Sequence, residues 1–550
     1  MHRTSLHQNN GQSIIGNMLF RPANMHLAFK YSLISILGGC LALGMSAFAA
    51  DINESAATPD STAVDGTTVD ITGYDPTKAM LLERGEKHRE VLELLEARRY
   101  VEALQPAKEV VALTRNIYGN NSAELTVPLL NLANIQLRTN NYESARANYS
   151  ALIKLIELND NILSPALVEP LCELGRIYNL SGQYSLAERS LSRALRINHA
   201  HQGFYNFDQI DLRNSLTESW LELGELKKAN LQQRRIVAIH EYQFGKKNPQ
   251  TVPALFRLAN WYGKTNQPTA ELNTFRKAYK ILEAAEGENN PELITALRFI
   301  ARSYISQPAA RGEALASGGD NSLNPSGELS AEATSTIKIR NGALNALKRA
   351  IEINEAQEQP DTLLQAELLL ELGDTYTLFG SSGSANKQYK EAWANLALQD
   401  DGEKRIRDAF AKPKEIGYLD IPDVYPDTAA SRRKLSANPD AFGDGYVVVQ
   451  FDVSSKGAVK KVTITESYPT GFMERKVKRG MNYARYRPRY ENSEARKTTG
   501  ISYRYEFKYE RAGNNDSSEE SEPLPNPMKP QSQNQKGQNQ ENRAQSEPAL

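Results

Sequence analysis

Apolar positions over most of this chain keep a helical spacing, and the apolar clusters themselves return every 42 residues. Each cluster has a large apolar residue, a neighbour that is usually small, and usually a bulky residue three further on. The copies are Leu132-Ala133 with Gln136, Leu174-Gly175 with Tyr178, Leu216-Thr217 with Trp220, Leu258-Ala259 with Tyr262, and Ile300-Ala301 with Tyr304. Leu372-Gly373 with Tyr376 follows 72 residues later, one period plus 30. Residues three or four apart share a helix face, and the small residue lets a second helix come close. A second cluster describes that partner helix. Its small residues are Ala145, Ala187, Ala229 and Ala385, followed by Tyr149, Leu191, Phe275 and Tyr389 and then by Ala194, Ala278 and Ala392. A fixed period of this size predicts a linear array of antiparallel helix pairs.

The pattern resembles tetratricopeptide (TPR) repeats of the longer, kinesin-light-chain-like kind. Pro165, Pro249 and Pro291 stand just ahead of the first helix of their repeats, where a missing N–H costs little. Asn248 and Asn290 precede two of them as N-caps. The array is expected over 78–400, with its clearest copies at 168–199 and 366–397. A terminal copy around Glu90 to Val110 matches through Ala103. The extra 30 residues fall at about 308–337, in a stretch rich in Gly, Ser, Asn and Ala, and are expected to form a loop between the two helices of one repeat.

Near Lys412 the period changes from helical to two. Tyr446 to Val453 alternates as a strand with Val447, Val449, Phe451 and Val453 on one face. Ser454-Ser455-Lys456-Gly457 reads as a turn, and Val459 to Thr465 returns with Val462 and Ile464 inward. A short helix, about Gly471 to Tyr483, precedes a last strand from Ile501 to Tyr509. Tyr425-Pro426, Gly445, Phe451, Val453, Gly457, Val459, Val462, Ser467, Pro469, Gly471, Phe472 and Ala484-Arg485-Tyr486-Arg487-Pro488 give about 420–510, within a domain expected over 412–510, a resemblance to the C-terminal domain of the TonB family. The fold class is therefore α+β multidomain, an α-α solenoid of TPR-like helix pairs followed by a small TonB-like β-sheet domain with one helix. The resemblance implies that an extended segment of an outer-membrane protein adds to a sheet edge, here Ser502, Tyr503, Arg504, Tyr505, Glu506, Phe507 and Lys508. The side chains of Tyr503, Tyr505 and Phe507 are expected in the core, leaving the backbone as the recognition element.

The ends read differently from the middle. Tyr31 to Ala50 is a long apolar run after Lys30 that ends in Ala47-Phe48-Ala49. It predicts a secretory signal peptide over 1–49, with translation starting at Met1 or Met25 and a periplasmic product. Left uncleaved, 31–50 would be an inner-membrane anchor and the protein a TonB-type energy transducer. That reading lacks two features of such transducers: a histidine within the run and a Pro-rich spacer after it. Residues 50–77 read as a polar linker, and 511–550, rich in Gln, Asn, Ser, Glu and Pro, as a disordered tail.

The chemistry-bearing residues are few. After cleavage Cys172 is the remaining cysteine of two and sits on an apolar helix face, which suits a core position. His199 and His201 are the close histidine pair, expected in an inter-repeat loop without ligand-spaced acids, so no metal or other cofactor is expected. No phosphate-cradling Gly loop, Gly-x-Ser-x-Gly or HExxH occurs, so no enzyme is expected. Net charge is −1, but Lys412 to Glu510 holds 19 basic and 13 acidic residues. Arg475, Lys476, Lys478, Arg479, Arg485, Arg487 and Arg489 cluster there, read as a solvated face that would attract acidic segments at Arg485 and Arg487. The expected partners are proteins: a peptide or helix in the concave TPR groove and an extended segment at the sheet edge. Nucleic acid is excluded by export, and membrane association stays open.

Overall fold

The computed structural model describes residues 76–307, 331–417 and 421–511. Residues 1–49, read above as a signal peptide, almost all of the expected linker, the expected tail beyond Arg511 and most of the insertion lie outside the described residues. The chain divides into two compact units. The first runs to Ile421 and includes Tyr446–Tyr505; the second comprises Pro422–Gly445 and the chain from Glu506.

The first unit opens with the array. Its helices are α1 (Pro76–Glu96), α2 (Tyr100–Tyr118), α3 (Thr126–Arg138), α4 (Tyr142–Asn159), α5 (Val168–Leu180), α6 (Tyr184–Gln202), α7 (Gln209–Glu222) and α8 (Leu226–Phe244). They continue as α9 (Val252–Lys264), α10 (Pro268–Glu286), α11 (Glu292–Ile305), α12 (Ala331–Glu355), α13 (Thr362–Leu378) and α14 (Ser382–Ala397). The second helices of five successive pairs start at Tyr100, Tyr142, Tyr184, Leu226 and Pro268, so the 42-residue period already holds in the terminal pair. Helix α12 begins at Ala331, inside the stretch expected to be loop.

Close approach of the two helices in a pair rests on the small residue. A Cβ at Gly175 would lie 2.5 Å from Leu191 Cγ, and one at Gly373 2.5 Å from Tyr389 Cε1. Gly342 meets the ring of Tyr304 in the same way, which joins α12 to α11 across the insertion. The turns into the first helices share one chemistry. Side-chain oxygens of Ser122, Ser164, Asn248 and Asn290 each accept from the backbone N–H two residues on, satisfying a donor that the helix leaves open. Pro165 and Pro249 open the short 3-10 turns that follow.

One repeat breaks the pattern. Leu129, Leu171, Leu255, Leu297 and Leu369 occupy equivalent buried positions, and Arg213 stands at that position in α7, also buried. Gln209 replaces the leucine found at Leu125, Leu167 and Leu293. Arg213 donates to Gln209 Oε1 at 2.9 and 2.6 Å and to Gln232 Oε1 at 2.7 Å, and its Nη2 lies 3.2 Å from His199 Nε2. Burial, with Arg235 nearby, lowers its pKa to about 10. Asn206, at the capping position of this repeat, has a buried Oδ1 without a hydrogen-bond partner, as does Gln209 Nε2. The apolar core divides here, into one cluster from Val91 to Leu216 and another from Val237 to Leu372.

After α14 comes α15 (Gly402–Phe410), then strand β1 (Lys414–Gly417). The sheet domain contains β2 (Val424–Tyr425), α16 (Ala429–Ala437), β3 (Phe442–Val453), β4 (Val459–Tyr468), α17 (Glu474–Tyr483), β5 (Arg485–Arg487), β6 (Arg489–Glu491), β7 (Glu494–Arg496) and β8 (Thr498–Glu510). Strand order is β2-β8-β3-β4, with β1 paired to β5 and β6 to β7. The β3–β4 hairpin is antiparallel, Val449 opposite Ile464 and Val453 opposite Val459, and Gly457 supplies the positive φ of its turn at +79°. Val447, Val449, Phe451 and Val453 are buried, as alternation requires. In the second unit β2 runs parallel to the end of β8, Val424 beside Lys508 and Tyr425 beside Tyr509.

The packing makes a contrast measurable. Gly175→Leu and Gly373→Leu should each destabilise by about 1–3 kcal/mol through overpacking. Hydrogen exchange in the Gly175→Leu protein should rise around α5 and α6 and leave 485–491 protected. Gly373→Leu should deprotect 485–491 together with α13 and α14. Equal loss throughout in both proteins would contradict the linear arrangement.

Candidate functional site

The last repeat and the Tyr-Arg-Pro segment form one core. Arg487, expected on a solvated face, is 3% exposed. Its Nε and Nη2 donate to the two carboxylate oxygens of Asp374 on α13, at 2.8 and 2.6 Å, and its Nη1 to Ala409 O at 3.3 Å. The guanidinium lies 5.7 Å from the ring centre of Tyr389 and 5.8 Å from that of Phe410. Burial opposes the charge, and the Asp374 carboxylate outweighs it, holding this guanidinium above the usual arginine range. Tyr389 OH also donates to Asp374 Oδ1 at 2.8 Å. In the α3–α4 pair the equivalent tyrosine, Tyr149, bonds Asn134. An aspartate in place of that asparagine supplies the charge that Arg487 meets.

The surrounding contacts close the same joint. Tyr486 N donates to Gly457 O at 2.9 Å, so the hairpin turn packs on β5. A Cβ at Gly457 would come 2.7 Å from Thr377 Cγ2 of α13. Tyr490 donates to Asn386 Oδ1 of α14 at 2.9 Å and packs with Tyr389, Leu396 and Phe410. Tyr486 and Tyr490, with Arg487 between them, are therefore buried rather than arrayed for an external ligand. Arg485 is half-buried and donates to Tyr483 O and Ala484 O, turning back on its own chain. The basic face that remains exposed is Arg475, Lys476, Lys478 and Arg479 of α17. No sequence signal marked Asp374; only its partner in a different part of the chain gives it meaning.

Side chains of the thirteen-residue β8 alternate, but of the three rings expected in the core only Phe507 is fully buried. Ser502, Arg504 and Glu506 are exposed, Tyr503 and Tyr505 half-buried, and Phe507 buried. Tyr505 OH donates to Ile421 O at 2.7 Å, and Arg504 stacks on Tyr446. The expected edge is shortened at one end. Lys508 N donates to Asp423 O at 2.8 Å, and β2 covers Lys508 and Tyr509. Lys508 Nζ also bonds Asp444 at 2.5 Å.

The histidines sit in helices, not loops. His199 and His201 belong to the last turn of α6, where His199 Nε2 is 3.1 Å from Gln209 Oε1 and His201 Nε2 is 2.9 Å from Leu163 O. Among the described residues no three His, Cys, Asp or Glu are grouped to hold a metal. Cys172 is half-buried and burial pushes its thiol up to about 12, which keeps it protonated. No helix among the described residues is long and apolar enough to cross a membrane.

Residues 423–509 match the family described as Gram-negative bacterial TonB protein C-terminal. The helical region has TPR-like likenesses among solved structures. A putative kinesin light chain of Podosopora anserina with nearly identical TPR-like repeats is 15% identical, covering 39% of this chain and 99% of that one at a TM-score of 0.34. The C-terminal part of a TPR repeat-containing protein from Cytophaga hutchinsonii is 15% identical, covering 58% and 98% at a TM-score of 0.37. Among curated proteins, the secreted RxLR effector protein RXLR-C07 of Plasmopara halstedii is 21% identical over 197 residues, 36% of this chain. The chain spans 61% of that protein's length.

Removing one partner of a buried ion pair leaves the other charge uncompensated, at a cost of about 3–5 kcal/mol. Asp374→Asn should lower stability by about that amount, whereas the double variant Asp374→Asn with Arg487→Met should recover a large part of it. A denaturation cycle of the single and double variants measures the coupling, and additive losses would refute it. A second outcome concerns pH. Burial, with Arg257 beside it, holds the His240 imidazole down at about 4, against 6.5 in the unfolded chain. The unfolded state then binds the proton first, so stability should fall as pH drops from about 6.5 towards 4. His88 and His199 are lowered too, mainly by burial. Denaturation midpoints at several pH values should show His240→Gln removing part of the slope, and an unchanged slope would count against a neutral His240.

Proposed function

We propose that this TPR-like array with a TonB C-terminal domain is a periplasmic interaction scaffold, accessory to TonB-linked outer-membrane transport or to envelope assembly. The TPR-like helices serve as a protein-binding surface for one partner, a peptide or helix. The sheet takes a second partner, an extended segment of an outer-membrane protein, which adds along β8. The observation that carries this reading is the mismatch of β2 and β8: β2 has two residues and pairs with Lys508 and Tyr509 of a thirteen-residue strand. An added strand would continue that ladder towards Ser502, with main-chain bonds giving affinity and the exposed Ser502, Arg504 and Glu506 giving selectivity. Export through the segment 1–49 places the scaffold where such partners occur.

The buried Arg487–Asp374 joint supports the scaffold reading over two independently tethered modules, because it fixes β5 to the array.

Titrating extended peptides while following amide shifts tests the proposal. Shifts should concentrate in 501–507, Arg504→Ala and Glu506→Ala should weaken binding a few-fold, and a proline at Arg504 should abolish it, since proline donates no N–H to a ladder. Shifts confined to the helices, with β8 silent, would leave the sheet as fold without that function. Sequencing the N-terminus of protein recovered from cells tests the export step, with Ala50 expected first.

A further inference from the structure

Within the first unit, one arrangement of ring, imidazole and guanidinium is built twice between α6 and α9. Phe204, in the segment between α6 and α7, packs on the His199 ring at 4.7 Å, and His199 Nε2 lies 3.2 Å from Arg213 Nη2. Phe207, in the same segment, meets the His240 ring of α8 at 5.3 Å, and His240 Nε2 lies 3.2 Å from Arg257 Nη2 of α9. Tyr205 adds a third ring pair, stacked on Tyr242 at 4.7 Å. Phe204, Tyr205, Phe207 and Tyr242 are nonetheless 66%, 37%, 41% and 69% exposed. Large exposed rings gathered in one place and ordered against one another mark an interaction surface.

The charge of this surface is positive. Arg235 and Arg257 are exposed, and Arg235 is close enough to act on both His199 and Arg213. Lys246 and Lys247 follow Phe244, whose ring lies 5.6 Å from that of Phe207. Other arginines of the array are matched: Arg176 with Glu173, Arg193 with Glu157, Arg298 with Glu371. Among the described residues none of Arg213, Arg235 and Arg257 has a carboxylate partner, and Arg213 bonds the neutral Gln209 and Gln232. Glu241 is taken by Lys277 at 2.5 Å, and Asp208 is the exposed acid of the segment 203–208.

Exposed rings beside guanidiniums without carboxylates select an occupant that brings acids and flat apolar groups together. A segment carrying glutamates and prolines by turns does so. Proline rings rest on aromatic faces, the polyproline conformation is extended before it binds, and a carboxylate accepts two N–H bonds from one guanidinium. Because the arrangement is repeated from α6 to α9, an extended segment meets both copies at once. We propose that the surface of Phe204, Tyr205, Phe207 and Tyr242 with Arg235 and Arg257 binds an extended acidic, proline-bearing segment of a partner protein, carboxylates on the guanidiniums and prolines on the rings. This rests on the reading of the helices as a protein-binding surface, to which it gives a place and a ligand chemistry. It does not depend on strand addition at β8.

The probe is a synthetic peptide of alternating Glu and Pro, about twelve residues or roughly 37 Å long in the polyproline conformation. Titrated into the full-length protein and followed by fluorescence anisotropy, it should bind, and more weakly as salt rises. Replacing its Glu by Gln, or its Pro by Gly, should each cost about tenfold in affinity. Arg235→Glu and Tyr242→Ser, both on exposed side chains, should weaken binding severalfold without moving the melting transition. Lys478→Glu, the same kind of charge change on α17, should not. A p-benzoylphenylalanine at the centre of the peptide, irradiated and mapped by mass spectrometry, should join residues 203–208 or 240–247. Absence of binding, equal binding of the Gln-Pro or Glu-Gly peptide, or equal losses from Lys478→Glu and Arg235→Glu would overturn the proposal. Crosslinks confined to other repeats would overturn this site and keep the helices as a protein-binding surface, whereas crosslinks confined to 446–509 would count against both.

Discussion

One buried ion pair decides how this molecule is organised. Arg487 and Asp374 are far apart in sequence, and each would be untenable alone beneath Tyr389 and Phe410. Together they satisfy both carboxylate oxygens and add an aromatic enclosure, the geometry in which a buried pair offsets its desolvation. Because Arg487 belongs to a three-residue strand paired with β1, the pair anchors β5, the hairpin turn at Gly457 and the Tyr490 ring to α13–α15. Within the first unit, β5 and the β3–β4 turn are therefore continuous with the last repeat.

The array itself was legible in the sequence because its determinant is local and repeated. A helix pair packs closely only where a small residue faces a large one, and Gly175 against Leu191 or Gly373 against Tyr389 states that rule at a fixed spacing. The β3–β4 hairpin and β8 were legible for a similar reason, since alternation over eight or more residues survives any tertiary context. The joint was not. Asp374 is one more polar residue on a helix, and Arg487 lies in a basic run that looks solvated. Nothing in composition distinguishes an arginine facing water from one that has crossed to a carboxylate in another domain. The histidines were misplaced for a smaller reason: α6 extends to Gln202, a turn beyond where its apolar stripe stops.

Both candidate surfaces share a physical logic. On β8 the exposed residues alternate with half-buried tyrosines, so a partner would read backbone first and side chains second. On the array, exposed rings and guanidiniums are carried by the segment between α6 and α7 and by α8 and α9.

The polar layer at Arg213 has a mechanical meaning. An array anchored at its last repeat is a set of springs in series, and tension is the same in every spring while extension is not. Apolar interfaces resist parting over a short distance and then fail together; a layer of side-chain amides around a guanidinium can exchange partners with water one bond at a time. Two apolar spans, Val91 to Leu216 and Val237 to Leu372, thus meet at a polar layer. Were load applied at the last repeat, this polar layer, three repeats away, is where the array should yield first.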